Sequence, residues 1–247
     1  MSAATTMVGR SIRLSRRNLD TAIMAVVLPV LMMALFVYVF GGAISSVQSY
    51  VDYVVPGIVV LCTGYGATST AMPVADDMKK GVVDRFRSMP ISGFSVLTGH
   101  VVASVARNAL ATFAVVLVAL LMGFRPTASV GAWALAMGLL LVYVLALSWL
   151  AAGFGVIARS VESASLLGFF MLFLPYLSSA FVPVATMPPW LRAVSEHQPI
   201  TPVIETVRAL LTDQPVTSGR PALAWSGGLL VVAFTWATWL FRRISSR

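Results

Sequence analysis

The sequence predicts an all-α polytopic membrane protein with six transmembrane helices, an N-terminal amphipathic interfacial helix and short outer re-entrant helices before the last span. Of the 247 residues, 58% are hydrophobic and only 11% are charged, which leaves too little polar surface to cover a water-soluble globule. The apolar residues are also grouped into six stretches, each able to cross a hydrocarbon core of about 30 Å. These observations exclude a soluble domain.

The six apolar stretches define a single transmembrane domain over residues 1–247. Each stretch is expected to be helical, because an unpaired backbone group in hydrocarbon costs several kcal/mol. Within the spans, Pro29, Pro56, Pro73 and Pro175 mark expected kinks, where neighbouring helices must satisfy the freed carbonyl groups. The predicted spans are 22–40, 53–75, 101–124, 130–157, 164–186 and 222–241.

The positions of the basic residues predict the orientation in the bilayer. Twelve of the 17 Lys and Arg residues lie in the N-terminal segment, between spans two and three, between spans four and five, and after span six. The side richer in Lys and Arg faces the cytoplasm, so both termini are predicted to be cytoplasmic. Because the formal net charge of +8 is distributed between membrane spans, we assign it to orientation in lipid and expect no nucleic-acid partner.

The N-terminal segment, residues 1–21, has the pattern of a helix lying in the plane of the lipid headgroups. Val8, Ile12 and Leu19 recur at helical spacing, while Arg13 and Arg17 fall on the opposite face. Two interpretations remain open. The segment is either an anchor that sets orientation, or a surface helix that also contacts a cytoplasmic partner.

The segment between spans two and three, residues 76–92, predicts a short amphipathic cytoplasmic helix. Met78, Val82, Phe86 and Met89 form one apolar stripe. Asp76 and Asp77 are expected at its N-terminal end, and Pro90 ends it. A plain connection between two spans needs only a few turn residues. The apolar stripe therefore either docks in a groove on another protein or rests on the membrane surface.

The outer segment before the last span, residues 187–221, predicts two short helices. Trp190 belongs to the first. In the second, Thr201 is a plausible N-cap, Pro202 suits the first helical position, and Glu205 is expected in the first turn. Neither helix is long enough to cross a bilayer. We therefore expect an interfacial or re-entrant pair that caps a pathway.

The sequence predicts no catalytic residue, no metal site and no cofactor bound by this chain. It lacks the Gly, four-residue, Gly-Lys-Ser/Thr spacing of a phosphate-binding loop, and no His spacing suits a metal. Arg107 lies inside the third span, where it either snorkels to the interface or lines a pathway. Phe169, Phe173 and Tyr176 form a helical stripe that offers either a path for an apolar substrate or contacts within the bundle or with lipid.

Two local motifs resemble those of a known family. One is Gly81-x-x-Asp84-Arg85-x-Arg87-Ser88-x-Pro90; the other, Gln198-Pro199-x-Thr201-Pro202, is similar to an Asn-Pro-x-Thr-Pro motif with Gln in place of Asn. Together with the six spans and the basic N-terminal helix, they resemble the type-2 ABC exporter permeases, in particular the daunorubicin-resistance and polysaccharide or lipid-export branch of bacteria.

This resemblance implies a bacterial plasma-membrane subunit that exports a drug, a lipid or a glycolipid. Its partners would be two copies of a separate ATP-binding subunit, which carries ATP and Mg, and a second permease chain, identical or homologous. The alternatives are a non-transport membrane scaffold or immunity protein, and a secondary carrier. The implied coupling helix, which docks on the ATP-binding subunit, includes Asp76, Asp77, Met78, Val82, Asp84, Arg85, Phe86, Arg87 and Met89.

The resemblance also assigns the remaining site residues. The outer gate comprises Trp190, Thr201, Pro202, Glu205 and Arg208. Spans two and five would line the substrate path at the interface between two permease chains, with Tyr65 beside Phe169, Phe173 and Tyr176. The implied connecting helix lies against the same ATP-binding subunit and includes Val8, Ile12, Arg13, Arg16, Arg17 and Leu19.

Overall fold

The computed structural model of the protein describes residues 19–41, 47–80 and 94–245, and within these ranges the regular structure is helical. The all-α class is therefore confirmed. The first helix, α1, spans Leu19–Ala34 and continues as a π-helical segment over Leu35–Phe40. The others are α2 (Val47–Thr68), α3 (Ala71–Lys79), α4 (Phe94–Leu121), α5 (Val130–Ile157), α6 (Val161–Phe173), α7 (Pro189–His197), α8 (Ile200–Leu211) and α9 (Gly219–Ser245).

Within the described residues, four helical segments are long and apolar enough to cross a membrane: Tyr50–Lys79, Ser95–Leu121, Val130–Ile157 and Gly219–Ile244. They correspond to the predicted spans two, three, four and six. The predicted spans one and five correspond to shorter apolar helices, Ala25–Phe40 and Val161–Leu177. The fifth is shorter than expected because α6 ends at Phe173 and gives way to a 3-10 turn, Leu174–Leu177, that contains Pro175.

The helix α2 forms the centre of the bundle. Of the most apolar 18 residues in the segment Tyr50–Lys79, 89% are buried, whereas the corresponding share in Gly219–Ile244 is 17%. This follows from its neighbours, since α2 contacts α1, α4, α5, α6 and α8. Its side chains Val54, Val55 and Ile58 are fully buried. Among the described helices, α9 instead packs mainly along α5 and leaves an apolar face on the outside.

Prolines interrupt the helices as predicted at two places. The break between α2 and α3 falls at residues 69–70, just before Pro73, and the break after α6 falls at Pro175. Pro29 lies within α1 and has no amide hydrogen, so it cannot donate to the Ala25 carbonyl one turn earlier. The thiol of Cys62 on α2 donates to this carbonyl over 3.5 Å, so a neighbouring helix binds the freed group.

The segment 76–92 does not begin a separate helix at Asp76. Asp76, Asp77 and Met78 lie in the last turn of α3, and the Lys80 backbone amide donates to the Asp76 carbonyl. Two carboxylates at a helix C-terminus oppose the macrodipole, but both have cationic or hydrogen-bonding partners: Lys80 for Asp76 and His100 for Asp77. Residues 81–93 lie outside the described ranges.

The expected capping of the second outer helix is also wrong. The N-cap of α8 is Pro199, so Thr201 is the second helical residue and Pro202 the third. Pro199 and Pro202 are both tolerated at these positions, because the amides of the first helical turn have no partner within the helix. The Thr201 hydroxyl accepts a hydrogen bond from the Gln198 side chain over 3.4 Å. Glu205 consequently lies in the second turn and not the first.

Candidate functional site

A polar seam runs through the inside of the bundle along α4. It consists of His100, Ser104, Asn108 and Thr112, which recur every fourth residue and are all buried. This spacing places them on one face of the helix, which is turned toward α2, α3 and α5. At 1.5 Å per residue, the seam extends over about 18 Å. Polar groups so far inside an apolar bundle are expensive unless they bind one another.

At one end of the seam, His100 contacts the carboxylate of Asp77. The distance from His100 Nε2 to Asp77 Oδ2 is 2.9 Å, and only 6% and 9% of the two side chains are exposed. A buried carboxylate needs a hydrogen-bonding partner, and this contact supplies one across 23 positions of sequence. It ties the C-terminal turn of α3 to α4.

The middle of the seam ties α4 to α5 and α2. The hydroxyl groups of Ser104 and Ser148 lie 2.9 Å apart, and Asn108 Nδ2 donates to the Ser104 carbonyl over 3.0 Å. The Asn108 carboxamide rests against Gly66 of α2, so closely that a Cβ at position 66 would overlap it. A side chain at position 66 would therefore displace the Asn108 carboxamide.

Arg107 lies beside the seam and points to the break between α2 and α3. Its guanidinium donates to the Ser69 hydroxyl over 3.5 Å, and the side chain is partly buried. Because α4 begins at Phe94, seven residues before the predicted span, Arg107 is about 20 Å along the helix. It is thus held inside the bundle, next to a polar interruption of α2–α3.

On the opposite side of the bundle, Arg208 of α8 joins three elements. Its Nε donates to the Tyr53 carbonyl over 2.9 Å, and a terminal nitrogen donates to the Ser179 carbonyl over 2.6 Å. The guanidinium also lies 3.8 Å from the centroid of the Tyr53 ring, a cation–π distance. Burial lowers the pKa of Arg208 from its usual value, while Tyr53 and Glu205 act in the opposite direction.

The other predicted gate residues lie around Arg208 or on the surface. Thr201 and Pro202 are buried where α8 packs on α2, α5 and α9. Glu205 accepts a hydrogen bond from the Ser218 hydroxyl over 2.7 Å, which links α8 to the start of α9. Trp190 on α7 is 70% exposed. The structure thus brings four of the five predicted residues together on α8 and leaves Trp190 apart.

An aromatic ribbon connects α6 to α1. The Phe169 and Phe173 rings are 4.9 Å apart, and Phe173 lies 6.3 Å from Tyr176. Phe181 then stacks on Tyr176 at 4.9 Å and on Phe36 at 4.0 Å. Three of the predicted path residues are therefore consecutive members of one ribbon, whose α6 part is exposed. The fourth, Tyr65, lies partly exposed on α2.

Most predicted contacts to an ATP-binding subunit fall outside the described residues. This applies to Val8, Ile12, Arg13, Arg16 and Arg17 of the connecting segment. Leu19 is the first residue of α1. Six of the predicted coupling residues also lie outside the described residues: Val82, Asp84, Arg85, Phe86, Arg87 and Met89.

Sequence reasoning missed the Asp77–His100 contact and the partners of Arg208, which come from distant parts of the chain. The four-residue spacing from His100 to Thr112 was a usable signal, because one polar residue per turn inside an apolar stretch defines a buried polar face.

Comparison with known proteins identifies the family. The family model described as ABC-2 type transporter matches residues 3–212. The daunorubicin resistance ABC transporter permease protein DrrB1 of Streptomyces coeruleorubidus is 31% identical over 188 residues, which cover 75% of this chain and 66% of that protein. The probable doxorubicin resistance ABC transporter permease protein DrrC of Mycobacterium tuberculosis is 24% identical over 239 residues, covering 93% and 84%.

A third relative is also named as a permease. The putative transport permease ycf38 of Porphyra purpurea is 27% identical over 224 residues, which cover 85% of this chain and 74% of that protein. The match over most of the chain confirms the predicted membrane permease of an ABC exporter at the level of the family. The chain belongs to the ABC-2 type transporter family.

Proposed function

We propose that this chain exports a hydrophobic or amphiphilic compound, such as a drug, a lipid or a glycolipid, from the cytoplasm or the inner leaflet. Energy would come from two copies of a separate ATP-binding subunit that carries ATP and Mg. Two relatives named for daunorubicin or doxorubicin resistance favour a drug among these cargoes. The family match argues against a scaffold or immunity protein and against a secondary carrier.

The observation that best supports this function is the path from the buried core to the predicted coupling segment. The central helix α2 is followed after two residues by α3, and α3 ends at Lys79, directly before the segment that contains Phe86. Asp77 anchors the last turn of α3 to His100 of α4. A force applied by a partner to residues 81–92 would therefore act on α2 and α4 together, and so on the core.

The aromatic ribbon supports a substrate path shared with a second permease chain, identical or homologous. Phe169 and Phe173 are exposed on α6, and Tyr176 is exposed on the 3-10 turn that follows it. Leu31 is exposed on α1 and Tyr38 on its π-helical extension. A second chain covering α1 and α6 would convert this open face into a passage lined by aromatic rings, which suit flat apolar cargo. Arg208, which fastens α8 to α2 and to the loop after α6, would hold its outer end closed.

The proposed topology has six spans with both termini cytoplasmic in a bacterial plasma membrane. Four described helices are long enough to cross. The other two crossings would be α1 with its π-helical extension to Phe40 and α6 with the 3-10 turn that ends at Leu177. The distribution of Lys and Arg supports this orientation.

Co-reconstitution with the ATP-binding subunit tests the proposal. Both proteins are placed in lipid vesicles, and the transport of a fluorescent anthracycline is followed with and without ATP. We expect ATP-dependent transport that disappears when the ATP-binding subunit carries a substitution of its catalytic carboxylate. Transport that continues with this inactive subunit, or with the permease alone, would disprove the ATP-driven mechanism.

A further inference from the structure

An irregular segment that follows α6 is buried against α2 and α8. It comprises residues 177–181 and is called the strap below. Its first residue ends the 3-10 turn Leu174–Leu177, and the four side chains from Ser178 to Phe181 are at most 5% exposed. Loops seldom lie so deep in a protein, because their main-chain polar groups then need partners other than water.

Side chains of α2 and α8 bind the main-chain carbonyls of the strap. The Tyr53 hydroxyl on α2 donates to the Ser179 carbonyl over 2.9 Å, and Arg208 on α8 donates to the same carbonyl. The Tyr50 hydroxyl donates to the Phe181 carbonyl over 3.1 Å. Because side chains donate these hydrogen bonds, the strap can separate from α2 and α8 while the main-chain bonds of both helices stay intact.

The main chain of the strap also lies directly on α2 at Gly57. A Cβ added at this position would be 2.7 Å from the Ala180 carbonyl oxygen and 2.8 Å from the Ala180 Cα. Both atoms belong to the main chain, so the strap itself would have to shift to make room. Gly57 lies about one turn after Tyr53, on the same face of α2. One face of α2 therefore holds the strap both by a hydrogen bond and by close packing.

The last residue of the strap is a member of the aromatic ribbon. The Phe181 ring stacks on Tyr176 at 4.9 Å and on Phe36 of the π-helical segment at 4.0 Å, and it is 5% exposed. It fills the place where the ribbon meets the extension of α1. Displacement of the strap from α2 would take this ring away from both of its partners.

We infer that the strap is the moving part of the outer gate, and that Tyr53 and Gly57 position it so that a movement of α2 releases Phe181 from the ribbon. The inference rests on the proposed export function and names the segment that opens. The helix α2 suits this task because its other end continues through α3 to residues 81–92, on which the ATP-binding subunit is proposed to act.

Accessibility of a thiol on the strap provides the test. The Ser179 hydroxyl is buried and has no hydrogen-bond partner among the described residues, so Ser179→Cys leaves the carbonyl contacts in place. Cys62, the other cysteine, is buried on α2. The full complex is placed in right-side-out vesicles, and a membrane-impermeant maleimide is added outside. We expect slow labelling without ATP and at least about fivefold faster labelling when an inactive ATP-binding subunit retains ATP. Equally fast labelling in both states would overturn the inference.

Tyr53→Phe, in the Ser179→Cys background, removes the hydroxyl that binds the strap but keeps the ring beside Arg208. We expect labelling without ATP to become about fivefold faster, which corresponds to one hydrogen bond of about 1 kcal/mol. The further increase on ATP binding should shrink accordingly, an effect that a general loss of stability would not produce. The control is Tyr143→Phe on α5, whose hydroxyl lies beside Gly64, about two turns farther along α2 than Gly57. Equal labelling rates in Tyr53→Phe and this control would overturn the assignment of Tyr53.

Gly57→Ala tests the close packing independently of the hydrogen bond. The added Cβ should push the strap away from α2, and we expect labelling without ATP to become at least about fivefold faster. The control, Gly138→Ala on α5, has open space around the added Cβ and should leave the rate unchanged. Tyr53→Phe keeps the inference testable if Gly57→Ala fails to fold.

A transport assay in the same vesicles separates this inference from the proposed function. If ATP-dependent transport is absent while Tyr53→Phe still speeds labelling, the export proposal fails and the positioning of the strap by α2 is supported. If transport depends on ATP but neither Tyr53→Phe nor Gly57→Ala changes the labelling rate, the export proposal stands and the inference about the strap fails.

Discussion

Removing the His100 side chain tests the part of the account on which mechanical coupling depends. In His100→Leu, the Asp77 carboxylate loses a hydrogen bond of 2.9 Å in a site where both side chains are at least 90% buried. Hydrogen bonds to charged groups contribute about 1.5 to 3 kcal/mol. We therefore expect the free energy of unfolding to fall by about 1.5 to 3 kcal/mol.

Equilibrium unfolding in mixed micelles measures this loss, and the chain supplies its own control. The only other histidine, His197, is exposed on α7 and contacts a carbonyl of its own helix, so His197→Leu should change stability by less than about 0.5 kcal/mol. A double-mutant cycle with Asp77→Leu isolates the pair. A coupling energy near zero would refute the claim that this contact ties α3 to α4.

Two further substitutions test the bundle at other points. Gly66→Ala places a Cβ against the Asn108 carboxamide and should lower the free energy of unfolding by about 1 to 3 kcal/mol. The control, Gly138→Ala, has open space around the added Cβ and should not lower it. Equal effects of the two substitutions would argue against the close approach of α2 and α4. Arg208→Leu removes two charged hydrogen bonds to main-chain carbonyls and should cost about 3 kcal/mol or more, measured by the same unfolding assay.

The control for Arg208 is Arg192→Leu. Arg192 forms an exposed pair with Glu196 one turn away on α7, and such pairs contribute about 0.3 to 0.5 kcal/mol. If the two substitutions had similar effects, Arg208 would not fasten α8 to the bundle.

The helical class and the centres of the spans follow from the sequence because hydropathy over about 20 residues is a local property. The helix breaks near Pro73 and Pro175 could also be predicted, because a proline removes a hydrogen-bond donor from its own helix and this effect is local in sequence. The contact between Asp77 and His100 and those of Arg208 join positions far apart in sequence, so no local pattern pairs them.

The errors have physical causes too. Thr201 looked like an N-cap, with Pro202 as the first helical residue, but α8 begins two residues earlier, at Ile200, and its N-cap is Pro199. Asp76 looked like the start of a helix because acidic residues favour N-termini; its pairing with Lys80 at 2.7 Å allows it at a C-terminal turn.

The number of cargo molecules exported per ATP hydrolysed in the Phe86→Ala variant tests the central claim most directly. The chain is reconstituted with its ATP-binding subunit, and both rates are measured together, with Leu223→Ala, an exposed substitution on α9, as the control. We predict that the ATPase continues while the export ratio falls in Phe86→Ala alone, at unchanged membrane insertion. A normal ratio in that variant would contradict the transmission of force through the segment after α3.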